Sequence, residues 1–221
     1  MSRSQTAVII PAAGIGERLG IGIPKALAEI SGTTLIEHAL GNIREVAEVI
    51  VIAAAVGYES EFRKLLNDSS VKIVAGGALR SQSVANALRV LPENTKYVLV
   101  HDAARAFAPK GLAERVLSEL RAGEKAVVPA LNVVDTIKVV DSSGYVVATP
   151  DRANLRAMQT PQGFTVDVIK RAHESGGDAT DDAALVSQLG IAVKVIPGSP
   201  RARKITTVED LAWARELVSH P

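Results

Sequence analysis

Residues 11 to 25, Pro-Ala-Ala-Gly-Ile-Gly-Glu-Arg-Leu-Gly-Ile-Gly-Ile-Pro-Lys, hold the residue types that could cradle a polyphosphate. After Pro11, the small residues Ala12, Ala13, Gly14 and Gly16 leave backbone N–H groups uncovered, and successive uncovered N–H groups make a concavity for an anion. Arg18 and Lys25 add two cations to the same loop. Two commoner glycine-rich loops do not fit. A dinucleotide fingerprint would need glycine where Leu19 stands, and a P-loop would need Gly-Lys-Ser/Thr, whereas Lys25 lies between Pro24 and Ala26. The plain alternative is a solvated loop with two surface cations.

Further along, His101-Asp102-Ala103-Ala104-Arg105 follows an apolar run. Small Ala103 and Ala104 permit close approach. Asp102 can accept from a ribose or substrate hydroxyl, or help to hold a hydrated Mg²⁺. Arg105 can pair with Asp102 or with a phosphate, and His101 reads as a core histidine without a catalytic partner. Thr136 and Arg152 sit near the two ends of a hairpin pattern, where a hydroxyl beside a guanidinium suits a phosphate monoester. Gln159-Thr160-Pro161-Gln162 is polar and turn-forming. Thr180-Asp181-Asp182 reads as a helix N-cap with first-turn acids. Arg201, Arg203 and Lys204 form a late basic cluster, from which Lys204 can point into a crevice.

The elements that must position these groups alternate. Apolar runs at Ala7–Ile10, Val49–Ala55, Val71–Val74, Tyr97–Val100 and Ala126–Leu131 read as buried strands. Between them, helical patterns cover Thr34–Ile43, Glu59–Leu66, Ser81–Leu91 and Lys110–Arg121. This order predicts an α/β fold with a mostly parallel sheet covered on both faces, whose ligands lie at the carboxyl ends of the strands. The opening loop, Gly76-Gly77 and His101-Asp102 all fall at such ends, so one crevice is expected. Thr136–Val140 and Tyr145–Thr149, around Asp141-Ser-Ser-Gly144, predict a hairpin, and its Val and Ile content predicts that it packs against something, a second copy of the chain being a natural candidate. Helices at Val166–His173, Asp181–Leu189 and Val208–Val218 and a strand at Ala192–Ile196 complete the pattern, with Thr207 and Asp210 as a cap pair.

Composition narrows the chemistry. Among 221 residues, 47% are apolar, which is enough for a substantial core, and the net charge of +1 gives no general case for nucleic acid or membrane as partner. The absence of cysteine removes thiolate catalysis and thiolate zinc sites, and fits a cytoplasmic location.

Taken in order, the opening loop, His101-Asp-Ala-Ala-Arg105, Asp135-Thr-Ile-Lys138, Thr160-Pro-Gln162, Thr180-Asp181 and Lys204-Ile-Thr206 resemble the 2-C-methyl-D-erythritol 4-phosphate cytidylyltransferases of the non-mevalonate isoprenoid pathway. The resemblance spans Ala7 to about Ala214. It implies a single Rossmann-like nucleotidyltransferase domain over residues 1–221, with a β-hairpin dimerisation arm at about 133–154 and no second enzyme domain. It implies CTP and methylerythritol phosphate as substrates, Mg²⁺ as cofactor and a homodimer. Catalytic roles would fall to Arg18, Lys25, Arg152 and Lys204. Nucleotide binding would involve Pro11, Ala12, Ala13, Gly14, Gly16 and Lys25, then Gly77, Arg80 and Ser83, and Asp102 with Ala103. Substrate binding would involve Asp102, Arg105, Thr136, Arg152, Thr160, Thr180 and Lys204, with arm residues supplied by the neighbouring subunit. Asp102 is the metal candidate, the ion being held mainly by CTP phosphates. Three places depart from the pattern: Ala106 where proline is frequent, Ala78 where an acid often follows Gly-Gly, and the pair Ala202-Arg203 where Asn-Ile often precedes the late lysine. The last leaves the local path around Lys204 open. Rival readings are a cytidylyltransferase for another polyol phosphate such as ribitol 5-phosphate, a non-catalytic nucleotide-binding module, and a glycosyltransferase, which would usually want an Asp-x-Asp metal motif.

Overall fold

The computed structural model describes residues 5–16, 19–20, 22–176 and 179–220. Arg18 lies outside the described residues. The chain opens with β1 (Thr6–Ala12), passes through the two-residue strands β2 (Glu29–Ile30) and β3 (Thr33–Thr34), and enters α1 (Leu35–Ile43). β4 (Val49–Ala54), α2 (Glu59–Leu66), β5 (Val71–Ala75), α3 (Arg80–Leu88) and β6 (Tyr97–Val100) follow in alternation. Next come α4 (Lys110–Arg121), β7 (Ala126–Asn132), a hairpin of β8 (Val139–Val140) and β9 (Val146–Ala148), and the strands β10 (Arg156–Met158) and β11 (Gln162–Thr165). The chain ends with α5 (Val166–Glu174), α6 (Asp182–Gln188), β12 (Lys194–Pro197) and α7 (Val208–Ser219).

β1 lies at the centre, parallel to β4 on one side and to β6 on the other. The chain therefore runs outward through β4 and β5, then returns across β1 to β6. Strand order reverses at β1, and the crevice beyond its carboxyl end is where a sheet of this kind leaves room for a ligand. The alternation of side chains decides the layers. Val8, Ile10, Ile50 and Ile52 face α1, α2 and α4 through Ile36, Leu40, Phe62 and Leu117. Ala7, Ile9, Val49 and Val51 face α3, α5 and α6 through Val84, Leu88, Ile169 and Val186. Strands buried on both faces need continuous apolar runs, which is why β1 and β4 were visible in the sequence. A third cluster of Leu19, Ile30, Leu35, Ile205 and Leu211 fastens α7 beneath the opening loop. The predicted caps form: Thr207 and Asp210 make a capping box on α7, and Asp181 caps α6.

Two features differ from the sequence reading. Gln159–Gln162, polar and turn-forming by sequence, joins two strands that the sequence pattern did not contain. β10 and β11 run consecutively antiparallel along one edge of β7, the pairing shifting by two residues between them, and β11 also pairs antiparallel with β6. β11 escapes pattern reading because Gln162-Gly163-Phe164-Thr165 contains one large apolar side chain, although Phe164 is fully buried. The hairpin does form, but its regular strands are shorter than predicted because the ladder is irregular at Val139 and Val140. Its turn is closed by the Asp141 carboxylate, which accepts from the N–H groups of Ser143 and Tyr145, both at 2.9 Å. Val134 and Tyr145 are 82% and 74% exposed, and Val139, Val140, Val146 and Val147 are exposed too.

Candidate active site

Four segments meet beyond the carboxyl ends of the strands. They line a cavity of about 210 Å³. Pro11, Ala12, Ala13, Gly14 and Lys25 come from the opening loop, Gly77, Arg80 and Ser83 from the β5–α3 region, Asp102 and Ala103 from the end of β6, and Lys204 from the segment before α7. All of these were singled out in the sequence. Ala104, read as permitting close approach, and Ala78, a departure from the family pattern, line it as well; Ala26 and Leu79 also do so and were not singled out.

The opening loop folds back on itself, with the Lys25 N–H donating to the Gly14 carbonyl at 2.9 Å. Gly16 is required there: its φ is +65°, and a Cβ would stand 2.9 Å from that of Lys25. The Lys25 ammonium donates to the Ile205 carbonyl at 3.0 Å, which ties the first loop to the last segment. Gly76 is set by close packing, since a Cβ would come within 2.5 Å of the Ala13 methyl and 2.8 Å of the Ala54 carbonyl. Buried Ser83 holds this second loop by accepting from the Gly77 N–H at 3.0 Å and donating to the Leu79 carbonyl at 3.2 Å.

Asp102 is the electrostatic centre. One of its oxygens takes Arg80 Nε at 3.1 Å and the other takes Lys204 Nζ at 2.7 Å. Burial acts to raise the Asp102 pKa, but the charges of Arg80 and Lys204 outweigh it and hold the carboxyl well below the usual range, so it is ionised at neutral pH. Arg80 does not depend on Asp102 alone. Its Nη1 reaches Asp182, which is fully buried, at 2.7 Å, and the other oxygen of Asp182 meets His173 Nε2 at 2.9 Å. Burial opposes ionisation of Asp182 as well, but the hydrogen bond from His173 and the charge of Arg80 lower its pKa. Sequence reading missed Asp182 and His173, taking the former as a first-turn acid. A signal was available: Asp182, Leu185 and Val186 fall at helical spacing on one face of α6, and all three are buried.

The remaining predicted residues lie outside the cavity lining. Arg105 does not form an ion pair with Asp102. Its guanidinium donates to the Ala202 carbonyl at 2.7 Å and to the Met158 carbonyl at 3.0 Å, because the turn Ala103–Arg105 carries the side chain away from the cavity toward the base of the arm. Thr160 is buried behind Asp102, its hydroxyl accepting from the Asp102 N–H at 3.0 Å. That hydroxyl contacts His101 Nδ1 at 3.1 Å. The His101 ring itself is buried behind Asp102. His101 is thus a core histidine, as expected. Thr180 is exposed. Thr136 and Arg152 are exposed on the arm, with Arg152 Nη1 donating to the Val134 carbonyl at 2.6 Å, so the arm brings Arg152 close to the Thr136 end of the hairpin.

The family model for 2-C-methyl-D-erythritol 4-phosphate cytidylyltransferase matches residues 6–220. The proteins of that name from Nocardia farcinica and Rhodococcus opacus are 47% identical over 213 residues and 48% identical over 220. The alignments cover 95% of this chain and 92% of the first relative, and 98% and 96% for the second. Among solved structures, the 4-diphosphocytidyl-2C-methyl-D-erythritol synthase of Anaerococcus prevotii matches with a TM-score of 0.86 at 28% identity, over 99% of this chain and 97% of that one. The 2-C-methyl-D-erythritol 4-phosphate cytidylyltransferase of Thermus thermophilus matches at 0.81 and 36% identity, over 96% and 98%.

Two expectations follow from the buried groups. Asp182→Ala should cost about 3 kcal/mol, the low end for breaking a buried pair, because Arg80 keeps Asp102 and some solvent contact. Unchanged urea midpoints would rule out the pairing as a stabilising one. Burial lowers the His101 pKa to about 4 from 6.5. The unfolded chain then binds a proton that the folded chain refuses, so stability is lost as pH falls below the unfolded value. Between pH 7.5 and 5 this amounts to about 2 kcal/mol. His101→Asn should flatten that dependence in urea titrations, and an equal pH dependence in the two proteins would contradict it.

Proposed function

This chain belongs to the 2-C-methyl-D-erythritol 4-phosphate cytidylyltransferase family, and from that premise we propose how its residues divide the work. It transfers the cytidylyl group of CTP to 2-C-methyl-D-erythritol 4-phosphate, a step of isoprenoid precursor biosynthesis. An oxygen of the substrate's phosphate bonds to the α-phosphorus of CTP, the bond from that phosphorus to the bridging oxygen breaks, and pyrophosphate leaves. The second pKa of a phosphate monoester is near ~6, so the nucleophile is already ionised at neutral pH and no general base is required. Support comes from the cavity itself, where Lys25, Arg80 and Lys204 converge and the only acid lining it among the described residues is Asp102. The remaining task is in-line positioning and charge neutralisation. Lys25 and Lys204 offset the charge that builds on the α-phosphate, with Arg18 joining them from the opening loop. The pocket walls at Gly77 and Ser83 receive the base.

Mg²⁺ fits this donor set as an ion carried by the triphosphate. Among the described residues no cluster of three or more acidic, His or Cys side chains could cage a metal. Mg²⁺ usually takes one or two carboxylates together with substrate phosphates. Asp102 is the residue that would help to hold it, and the ion would supply neutralisation of phosphate charge.

The exposed hairpin at about 133–154 supports a homodimer in which Thr136 and Arg152 reach the partner's site and grip the 4-phosphate, the whole chain acting as one cytidylyltransferase unit. No helix among the described residues is long and apolar enough to cross a membrane. The absence of cysteine is compatible with a cytoplasmic location.

Pyrophosphate release with CTP and Mg²⁺, run on methylerythritol 4-phosphate against ribitol 5-phosphate, tests the reading directly. Release should require the first; release with ribitol 5-phosphate alone would overturn the substrate assignment. In this assay Lys25→Ala should lose roughly 10²–10³ in kcat with unchanged circular dichroism, and a variant keeping most of its turnover would remove Lys25 from the transition state. Arg152→Ala should chiefly raise KM for the polyol phosphate while leaving KM for CTP alone. If instead KM for the polyol phosphate does not move, the arm does not hold that phosphate.

A further inference from the structure

Both cations tied to the last segment depend on a short strap, residues 203–207, between the turn Pro200–Ala202 and α7. Lys204 reaches Asp102 from this strap, and the Ile205 carbonyl receives the Lys25 ammonium at 3.0 Å. The Ile205 N–H donates to the Ala104 carbonyl at 2.8 Å, so the strap lies against the loop that carries Asp102. One buried carboxylate holds it at both ends. Asp210 Oδ2 accepts from the Thr206 N–H at 2.8 Å, the Thr206 hydroxyl at 2.9 Å and the Thr207 N–H at 3.1 Å. Asp210 Oδ1 takes Arg203 Nη2 at 2.6 Å. The Arg203 guanidinium also lies 5.5 Å from the centre of the Trp213 ring, a second anchor on α7. Neither Arg203 nor Asp210 lines the cavity.

We infer that Arg203 and Asp210 are positioning residues that act through Lys204 and, by way of the Ile205 carbonyl, through Lys25. The inference rests on the catalytic reading of those two lysines. It also gives a physical role to Arg203, one of the departures noted in the sequence: the guanidinium fastens the residue immediately before Lys204 to α7. Misplacing a reacting or charge-stabilising group by about 1 Å can cost on the order of 10²-fold in rate, so a slack strap registers in turnover before it registers in binding.

Asp210 also belongs to the α7 capping box, so a general loss of helix stability must be told apart from loss of position. Thr207→Ala supplies the comparison: it removes the capping hydroxyl on the same helix and leaves the Asp210 carboxylate on the strap. The experiment is pyrophosphate release by Arg203→Ala, Thr207→Ala, Lys204→Ala and the Arg203→Ala/Lys204→Ala pair, each assayed below its measured Tm. Arg203→Ala should lower kcat roughly 10-fold or more with a smaller change in KM for CTP, whereas Thr207→Ala should keep its turnover even where its Tm falls further. In the Lys204→Ala background, Arg203→Ala should cost a clearly smaller fold-loss than in the wild type, because one of the two groups it positions is gone and only Lys25 remains to be displaced. A wild-type kcat in Arg203→Ala, or the same fold-loss in both backgrounds, would overturn the inference while leaving Lys204 in place. Full turnover in Lys204→Ala would instead remove the reading of Lys204 and this inference with it.

Discussion

The site rests on a single buried carboxylate with two cations on it. Asp102 stands at the end of the central part of the sheet, where burial works against its charge. It remains ionised because Arg80 and Lys204 each take one oxygen. Those cations lie more than a hundred residues apart in the chain, and a buried charge deprived of its partner is costly. Opposite charge therefore draws the loop after β5, the loop after β6 and the strap before α7 to one point. Packing supplies the platform beneath them, and electrostatics sets their mutual register.

The same arrangement prepares the cavity for an anionic ligand. Lys25, Arg80 and Lys204 are each held by protein groups, and preorganised charges of this kind need little reorganisation when phosphate oxygens enter. Behind them lies a second set of acids outside the cavity lining. Asp182 with His173 steadies Arg80, and Asp210 steadies the strap. The cations face the cavity, and these two carboxylates hold Arg80 and the strap from outside it. Such a division explains how a chain of net charge +1 can concentrate positive potential in one place.

Much of the fold was legible locally. β6, α2 and α4 were readable to the residue, because each is a continuous apolar run or a strong helical period bounded by polar residues. β10 and β11 were not, since they are short, carry polar side chains and owe their state to the edges of β6 and β7 that they complete. Part of the cavity lining was legible for a related reason: glycine, alanine and lysine at a strand end mark a loop open to close approach, whereas Arg80 and Ser83 were named only through the family resemblance. Arg105 and Thr160 show the limit. Their chemistry suits a ligand, yet the fold spends Arg105 on two backbone carbonyls and Thr160 on the Asp102 N–H and His101.

By itself, then, the sequence determined the alternation of strands and helices, the small-residue, cationic character of the opening loop and the exposed apolar hairpin. These are properties of residues that are neighbours along the chain, and neighbour spacing alone sets period, flexibility and local charge. Only the tertiary structure decided which cation meets which acid: Asp102 takes Arg80 and Lys204, Asp182 takes Arg80 from the opposite side, and Asp210 takes Arg203. Ion pairing falls off steeply with distance, and the chain offers nearly equal numbers of each charge, 25 basic against 24 acidic. Until the sheet places the loops, each acid has many possible partners, and only the folded arrangement selects among them.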